Sequence, residues 1–328
     1  MNPILIDVIR SANLIIRRLL AVQEGEQVAL VCDPHTPMEM VYALAGEIES
    51  VGAEYTILIQ PSRDESNKNR LTPIIEKGLE NATCMIGLTG SGGAPTYATA
   101  VKHLYEKKTL RGMSMVMRTL ANYTQGAALA NYDELYEDGK ILAAIWGAGK
   151  IMHITTPAGT DIRAPIAGDD VVIECGFATE QGLEAAFSDG EVSSRPIEGK
   201  AEGIIVVDGP IAHIGVPTSP ITLHISEGHV TKVEGDSPQA NALRKIITTI
   251  ENADNIAEFG IGLNAFSRRN GDFEEEKKAR GLVHIAIGDN VFYGGSTKSP
   301  VHMDMVLYAP TVRLDDRVIV DAGAVQID

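Results

Sequence analysis

Apolar positions in the opening stretch MNPILIDVIRSANLIIRRLL are interleaved with Asp7, Arg10, Arg17 and Arg18, a pattern that predicts an amphipathic helix. Short β-branched runs then alternate with helical segments. GEQVALVCD, AEYTILIQ, ATCMIGLTG and GMSMVMR read as strands. MEMVYALAGEIESVG, LTPIIEKGLEN, PTYATAVKHLYEKK and a stretch ending near Trp146 read as helices. The first of these four is framed by Thr36 as N-cap, Pro37 at the first helical position and Glu39 in a capping box, with Gly52 as its C-terminal stop. Strand-helix alternation at this spacing predicts a parallel sheet covered by helices.

From about Lys150 the texture changes: strand-like runs are separated by turn signals such as Ala158-Gly159-Thr160-Asp161, Ser188-Asp189-Gly190-Glu191 and Glu234-Gly235-Asp236. One helix interrupts them, from Pro238 to about Asn252, with Ser237 as N-cap. The expected architecture is an α/β N-terminal domain with a mainly parallel sheet, residues 1–150, and a β-rich α+β metal-binding domain, residues 151–328. RRNGDFEEEKKARG, residues 268–281, is the most polar stretch and reads as an exposed loop.

Composition narrows the partners. The 328 residues carry a net charge of −16, with 44% hydrophobic and 22% charged residues, and no basic cluster that would neutralise phosphates, so nucleic acid is disfavoured. No apolar run approaches a membrane span, and the N-terminal stretch lacks the uninterrupted core of a signal peptide. Cys32, Cys84 and Cys175 lie far apart in apolar runs, as expected of buried thiols in a cytoplasmic protein.

Candidate chemistry gathers in the run VHIAIGDNVFYGGSTKSPVHMDMV, which begins at Val283. His302 and Asp304 are one residue apart in a strand-like segment, so both leave the same face and can converge on one ion. His284 lies on a second strand, VHIAI, which the glycine-containing connection can fold back beside the first. Glu191, closing a turn, and Glu258, inside the apolar run NIAEFGIGLN, stand where a carboxylate is costly to bury uncompensated. A metal ion would compensate them, as would a salt bridge to Arg268 or Arg269, or a solvated strand edge. The stretch from Gly87 to Gly93 follows a strand and precedes a helix, but it matches neither G-x-G-x-x-G nor G-x-x-x-x-G-K-[ST] and reads as a structural loop. Tyr97, His103 and Arg118 beside it read as ordinary helix and strand-end residues. His35, His153, His213, His224 and His229 lack comparable neighbours.

The blocks FSDGEV, AEFGIGLN, VHIAIGDN with YGG, and SPVHMDMV followed by PTVRLDD, preceded by GTDIR, resemble the aminopeptidase T family of metallopeptidases. The resemblance covers roughly residues 150–328 and implies a homodimer of chains with an α/β domain and a β-rich metal domain. It carries metal ligands onto Glu191, Glu258, His284, His302 and Asp304, implying two divalent ions (Zn, Mn, Co or Fe), with Glu258 also activating water. The implied function is an aminopeptidase-like hydrolase acting on a small-molecule or short-peptide substrate. The family's catalytic tyrosine position is Val291 here, with Tyr293 two residues later, so that role has either moved to Tyr293 or been lost. The GDN…GG wording is also similar to a second branch of the same fold, the iron-dependent 2,5-dihydroxypyridine dioxygenases. That branch implies an Fe(II) ring-cleaving enzyme for hydroxypyridine-type aromatics, with a histidine in place of Glu258 and with neither Glu191 nor His284 as a ligand. A non-catalytic small-molecule-binding relative is a third reading.

Overall fold

The computed structural model describes residues 3–63, 69–90, 93–116 and 119–327. Arg118, and Ser91 and Gly92 of the glycine-rich stretch, lie outside the described residues. The chain forms two compact units, Met1–Leu129 with Cys175–Asp189, and Ala130–Glu174 with Gly190–Asp328.

In the first unit the strands Gln27–Cys32, Glu54–Ile59, Cys84–Leu88, Arg111–Met115 and Glu184–Ala186 form one all-parallel sheet. The Cys84–Leu88 strand is buried along its whole length, as expected for an inner strand of a sheet covered on both faces. Met85, Val31, Ile75, Val101 and Leu104 pack together on one side of it. Arg111 is fixed by a bidentate pair with Glu26, at 2.7 and 2.6 Å. The fifth strand comes from beyond residue 150, because Glu184–Ala186 completes the free edge of the Arg111 strand. A single cut at residue 150 therefore does not describe this partition, and the helix Tyr132–Ala148 clusters with the second unit.

Two helix-end expectations have different outcomes. Gly52 follows the helix Met38–Ser50 with φ +80°, the left-handed conformation that suits glycine at a helix stop. The Thr36 cap does not form. Its hydroxyl instead donates to the Leu88 carbonyl at 2.9 Å and contacts Asp33, tying the end of the first strand to its neighbour. Gly90 of the glycine-rich stretch is bound into the same turn: its N–H donates to Asp33 at 3.1 Å, and a Cβ there would collide with the His35 carbonyl at 2.3 Å.

The second unit carries two antiparallel sheets. One has eight strands, in spatial order His229–Glu234, Ile221–Ser226, Glu202–Val207, Asp161–Pro165, Ile151–Thr155, Thr311–Leu314, Arg317–Asp321 and Ala324–Val325. The other has five, in the order His302–Leu307, Val283–Gly288, Ile256–Gly262, Glu191–Ser194 and Val172–Glu174. The helix Tyr132–Ala148 packs on the last two of these strands. Ser237 caps the helix Pro238–Thr249 by accepting from Ala240 N–H at 3.1 Å, as its position predicted. The outer edge of the His302–Leu307 strand is covered by residues 209–212: Ala212 N–H donates to Asp304 O at 2.9 Å, and Val306 N–H to Pro210 O at 3.0 Å.

The polar stretch 268–281 is not an exposed loop. It contains a short helix, Phe273–Glu276, and Glu275, Glu276 and Lys278 are buried. The burial is compensated: Arg268 grips Glu275 through Nε and Nη2, each at 2.8 Å, and Tyr308 Oη donates to Glu276 at 2.6 Å. Among the described residues no helix is long and apolar enough to cross a membrane.

Candidate metal centre

The five-stranded sheet builds the site by simple alternation. Glu191 and Ser193, Glu258, Gly260 and Gly262, His284 and Ala286, and His302 and Asp304 occupy alternate positions on their strands and share one face. The register sets Glu258 opposite Ala286 and Ala286 opposite Asp304, so a methyl group separates two carboxylates. Gly260 stands opposite His284, and Gly262 opposite Glu191. The small residues leave the room that the large ones fill: a Cβ on Gly260 would lie 2.1 Å from the His284 ring. A bulge between Ile256 and Glu258 adjusts the aim of Glu258.

All five residues expected from the sequence meet on this face. Glu258 lies at the centre, with Oε1 3.1 Å from His284 Nε2 and Oε2 2.9 Å from His302 Nε2. His302 Nε2 is also 3.1 Å from Asp304 Oδ1, and His284 Nε2 is 3.5 Å from Glu191 Oε2. Two overlapping groups thus have donor atoms within 4.8 Å of one another: Glu258, His302 and Asp304, and Glu191, Glu258 and His284.

Hydrogen bonding distinguishes the two groups. The Asp289 carbonyl sits 2.7 Å from His302 Nδ1 and can only accept, so Nδ1 carries the proton and Nε2 is turned toward Glu258 and Asp304. A single proton on Nε2 cannot serve both carboxylates, and Asp304 Oδ1 is buried without a hydrogen-bond partner; the Glu191 oxygens of the other group share that state, but there the Lys278 ammonium stands 2.7 Å from Oε1. A divalent ion satisfies all three atoms: with bonds of about 2.1 Å, cis ligand atoms are about 3 Å apart, close to the 2.9 and 3.1 Å at His302 Nε2. His284 is the opposite case. Its Nδ1 is buried without a partner, so the proton belongs on Nε2, which donates to Glu258 Oε1 and holds that carboxylate in place.

Two residues that the sequence reading passed over complete the charge balance. Lys278 Nζ lies 2.7 Å from Glu191 Oε1; Lys277 Nζ lies 3.0 Å from Asp304 Oδ2 and 3.6 Å from Glu191. Burial acts to lower Lys277, but Asp304, Glu191, Glu274 and Glu258 outweigh it and hold the ammonium well above its usual range. Burial and the charge of Asp304 would raise Glu258, and the hydrogen bonds from His284 and, until an ion displaces the Nε2 proton, from His302 prevail, leaving it below the usual carboxylate range. For Asp304 burial is likewise overcome, chiefly by Lys277 and His302. The EEEKK run just before the His284 strand was the one signal that could have revealed the lysines. Neither Arg268 nor Arg269 compensates Glu191 or Glu258; Arg268 pairs with Glu275, and Arg269 lies over the Tyr308 ring.

Tyr293 lies in a 3-10 turn with its ring centroid 5.9 Å from that of His302. Burial, then the charges of Glu258, Glu174, Glu191 and Asp304, push its phenol well above its usual range, so it remains protonated. Val291 begins the same turn and is 43% exposed. The loop from Asp289 to Val301 is bound by Glu198, which accepts from Asn290 Nδ2 at 2.9 Å, Ser296 N–H and Oγ–H at 2.8 Å each, and Thr297 N–H and Oγ–H at 3.0 Å each. Tyr97, His103 and His213 lie outside this cluster; His103 faces Glu106 one helical turn away at 3.4 Å.

The profile of a family described as NicX, 2,5-dihydroxypyridine 5,6-dioxygenase, matches residues 15–327. The chain belongs to the NicX family. A curated relative, the 2,5-dihydroxypyridine 5,6-dioxygenase of Pseudomonas putida KT2440, is 29% identical over 209 residues, 58% of this chain and 59% of that protein. The match thus spans well under two thirds of that relative's length. Among solved structures, that of 2,5-dihydroxypyridine dioxygenase from Pseudomonas putida KT2440 has a TM-score of 0.81 at 20% identity, covering 97% of this chain and 96% of the other. AmpT from Thermus thermophilus has a TM-score of 0.69 at 18% identity, with 97% and 98% covered. At these identities both structures speak for the fold alone.

The NicX match corrects the principal functional expectation. The aminopeptidase T resemblance reflects a shared fold, and the hydrolase, aminopeptidase and protease readings give way to the dioxygenase family. The motifs misled because the sheet face presents all five side chains that the resemblance carried over, Glu191, Glu258, His284, His302 and Asp304, in a fold that both branches share. A divalent metal fits both the family and the donor set.

Proposed function

We propose that this NicX-family protein is a mononuclear Fe(II) dioxygenase that opens the ring of a dihydroxypyridine-type aromatic. The observation that carries the reading is the convergence of Glu258, His302 and Asp304 on one point while His284 is committed as a donor to Glu258. One imidazole and two carboxylates make a variant of the three-ligand facial set that leaves open positions on non-haem iron. Bound there, Fe(II) would relay electrons from the electron-rich ring to O₂ and offer a positive centre for a substrate hydroxyl.

The remaining groups prepare the site. His302 is aimed by its Nδ1–H donation to Asp289, and Glu258 by the Nε2–H of His284. Lys277 offsets the charge of Asp304, which lets two carboxylates stand near each other in a buried face. Tyr293 offers a protonated phenol and an aromatic wall beside His302, and Phe292 packs edge-on against it at 5.0 Å. Tyr293 is therefore assigned to positioning a planar aromatic substrate, in place of the hydrolytic role considered first.

Anaerobic loading with Fe(II) followed by 2,5-dihydroxypyridine in aerated buffer tests the reaction. The expected result is oxygen uptake matching the loss of aromatic absorbance, and a fall of about 10²-fold or more in rate for D304A. Iron-loaded protein that consumes neither oxygen nor the aromatic would overturn the assignment.

A further inference from the structure

We infer that Lys278 is a built-in cation that occupies the electrostatic role of a second metal ion and limits the centre to one bound ion. The inference rests on the one-ion reading above and concerns the other half of the cluster. Glu191, Glu258 and His284 have donor atoms within 4.8 Å of one another and are fully buried, so by residue type alone they would hold a second ion. Glu191, however, already faces an ammonium: Lys278 Nζ is 2.7 Å from its Oε1, and both side chains are almost wholly shielded from solvent.

The backbone leaves Lys278 little freedom to withdraw. Asn264 N–H donates to Lys278 O at 2.9 Å, and the 278–279 backbone is pressed onto Gly262, where a Cβ would lie 2.8 Å from Lys278 O and 2.3 Å from Ala279 O. Gly262 is the residue opposite Glu191 in the sheet, so the same glycine that leaves room beside the carboxylate brings the lysine to it. Charge counting agrees. With both imidazoles counted neutral, as His302 must be to bind an ion, Glu191, Glu258 and Asp304 against Lys277 and Lys278 leave one negative charge. One divalent ion reverses that small excess, whereas two would leave a large positive charge in a buried site.

The test counts ions on the full chain, equilibrated anaerobically with Mn²⁺ and measured by metal analysis and calorimetry. Wild type is expected to bind one ion. E191Q is expected to bind one ion with affinity within about threefold of wild type, since Glu191 is neither its ligand nor a hydrogen-bond partner of one, and loss of either costs tenfold or more. K278M frees Glu191 and is expected to bind two, the second ion displacing the His284 Nε2 proton to Nδ1. The double variant K278M/E191L, which removes the stranded charge, returns to one. Two ions on wild type, a tenfold weakening in E191Q, or a folded K278M that stays at one would each overturn the inference, and E191Q decides it even if K278M cannot be purified. Oxygen uptake by the iron-loaded wild type reports separately on the reaction: uptake with a K278M count of one rejects the lysine role alone, and one bound ion without uptake rejects the reaction alone.

Discussion

The His302 imidazole is held at both nitrogens, by a carbonyl at Nδ1 and by two carboxylates at Nε2, and this makes its chemistry dependent on a single ion or proton. H302A should therefore abolish ion binding, read as metal content after dialysis, whereas H284A should retain the ion and weaken its affinity by about 10- to 100-fold through loss of a hydrogen bond to Glu258. Gly260→Ala drives a methyl into the His284 ring, and chemical denaturation should show a loss of about 1–3 kcal/mol. At this scale the sequence exposed part of the site. One-residue spacing revealed His302 and Asp304, and carboxylates out of place in apolar runs revealed Glu191 and Glu258. Lys278 stayed hidden, because a lysine in a charged run looks like a surface residue until a buried partner is known.

Elements were more legible than their ends. The parallel strands of the first unit followed from β-branched runs between helical periods, and the Ser237 cap formed where a serine precedes proline. Thr36 had the same local grammar but found a better partner in the neighbouring strand, a contact that no local pattern contains. The short strand Glu184–Ala186 was also missed, since its identity comes from pairing rather than periodicity. The loop from Asp289 to Val301 supplies the carbonyl that orients His302, and Glu198 binds that loop. Burial would raise Glu198, but hydrogen bonds from Asn290, Ser296 and Thr297 lower it to about 2. Its folded pKa lies below the unfolded value of 4.5, so its contribution is fully present above about pH 4.5 and disappears as pH falls toward 2. Glu198→Gln should flatten the stability-versus-pH curve in that window, with a cost at neutral pH of about 1 kcal/mol after solvent screening. An unchanged acid limb in the variant would remove Glu198 from this role.

Across the second unit, ion binding and folding are expected to be linked, because the three donor residues come from an edge strand, which carries His302 and Asp304, and an inner strand, which carries Glu258, and only folding brings these together. Ion at 100 times its dissociation constant should add about 2.7 kcal/mol to unfolding, and a chelator should remove it, both readable by denaturant titration. The same sheet order sets the direction of traffic. Glu258 and His284 lie on inner strands with hydrogen-bonded neighbours on both sides, while His302 opens the outermost strand and its side chain is 34% exposed. Amide hydrogens of the inner strands should thus be among the slowest to exchange with deuterium in this unit. Small molecules are expected to enter or leave on the His302 side, where the side chain meets solvent, above a floor that opens only when the sheet does.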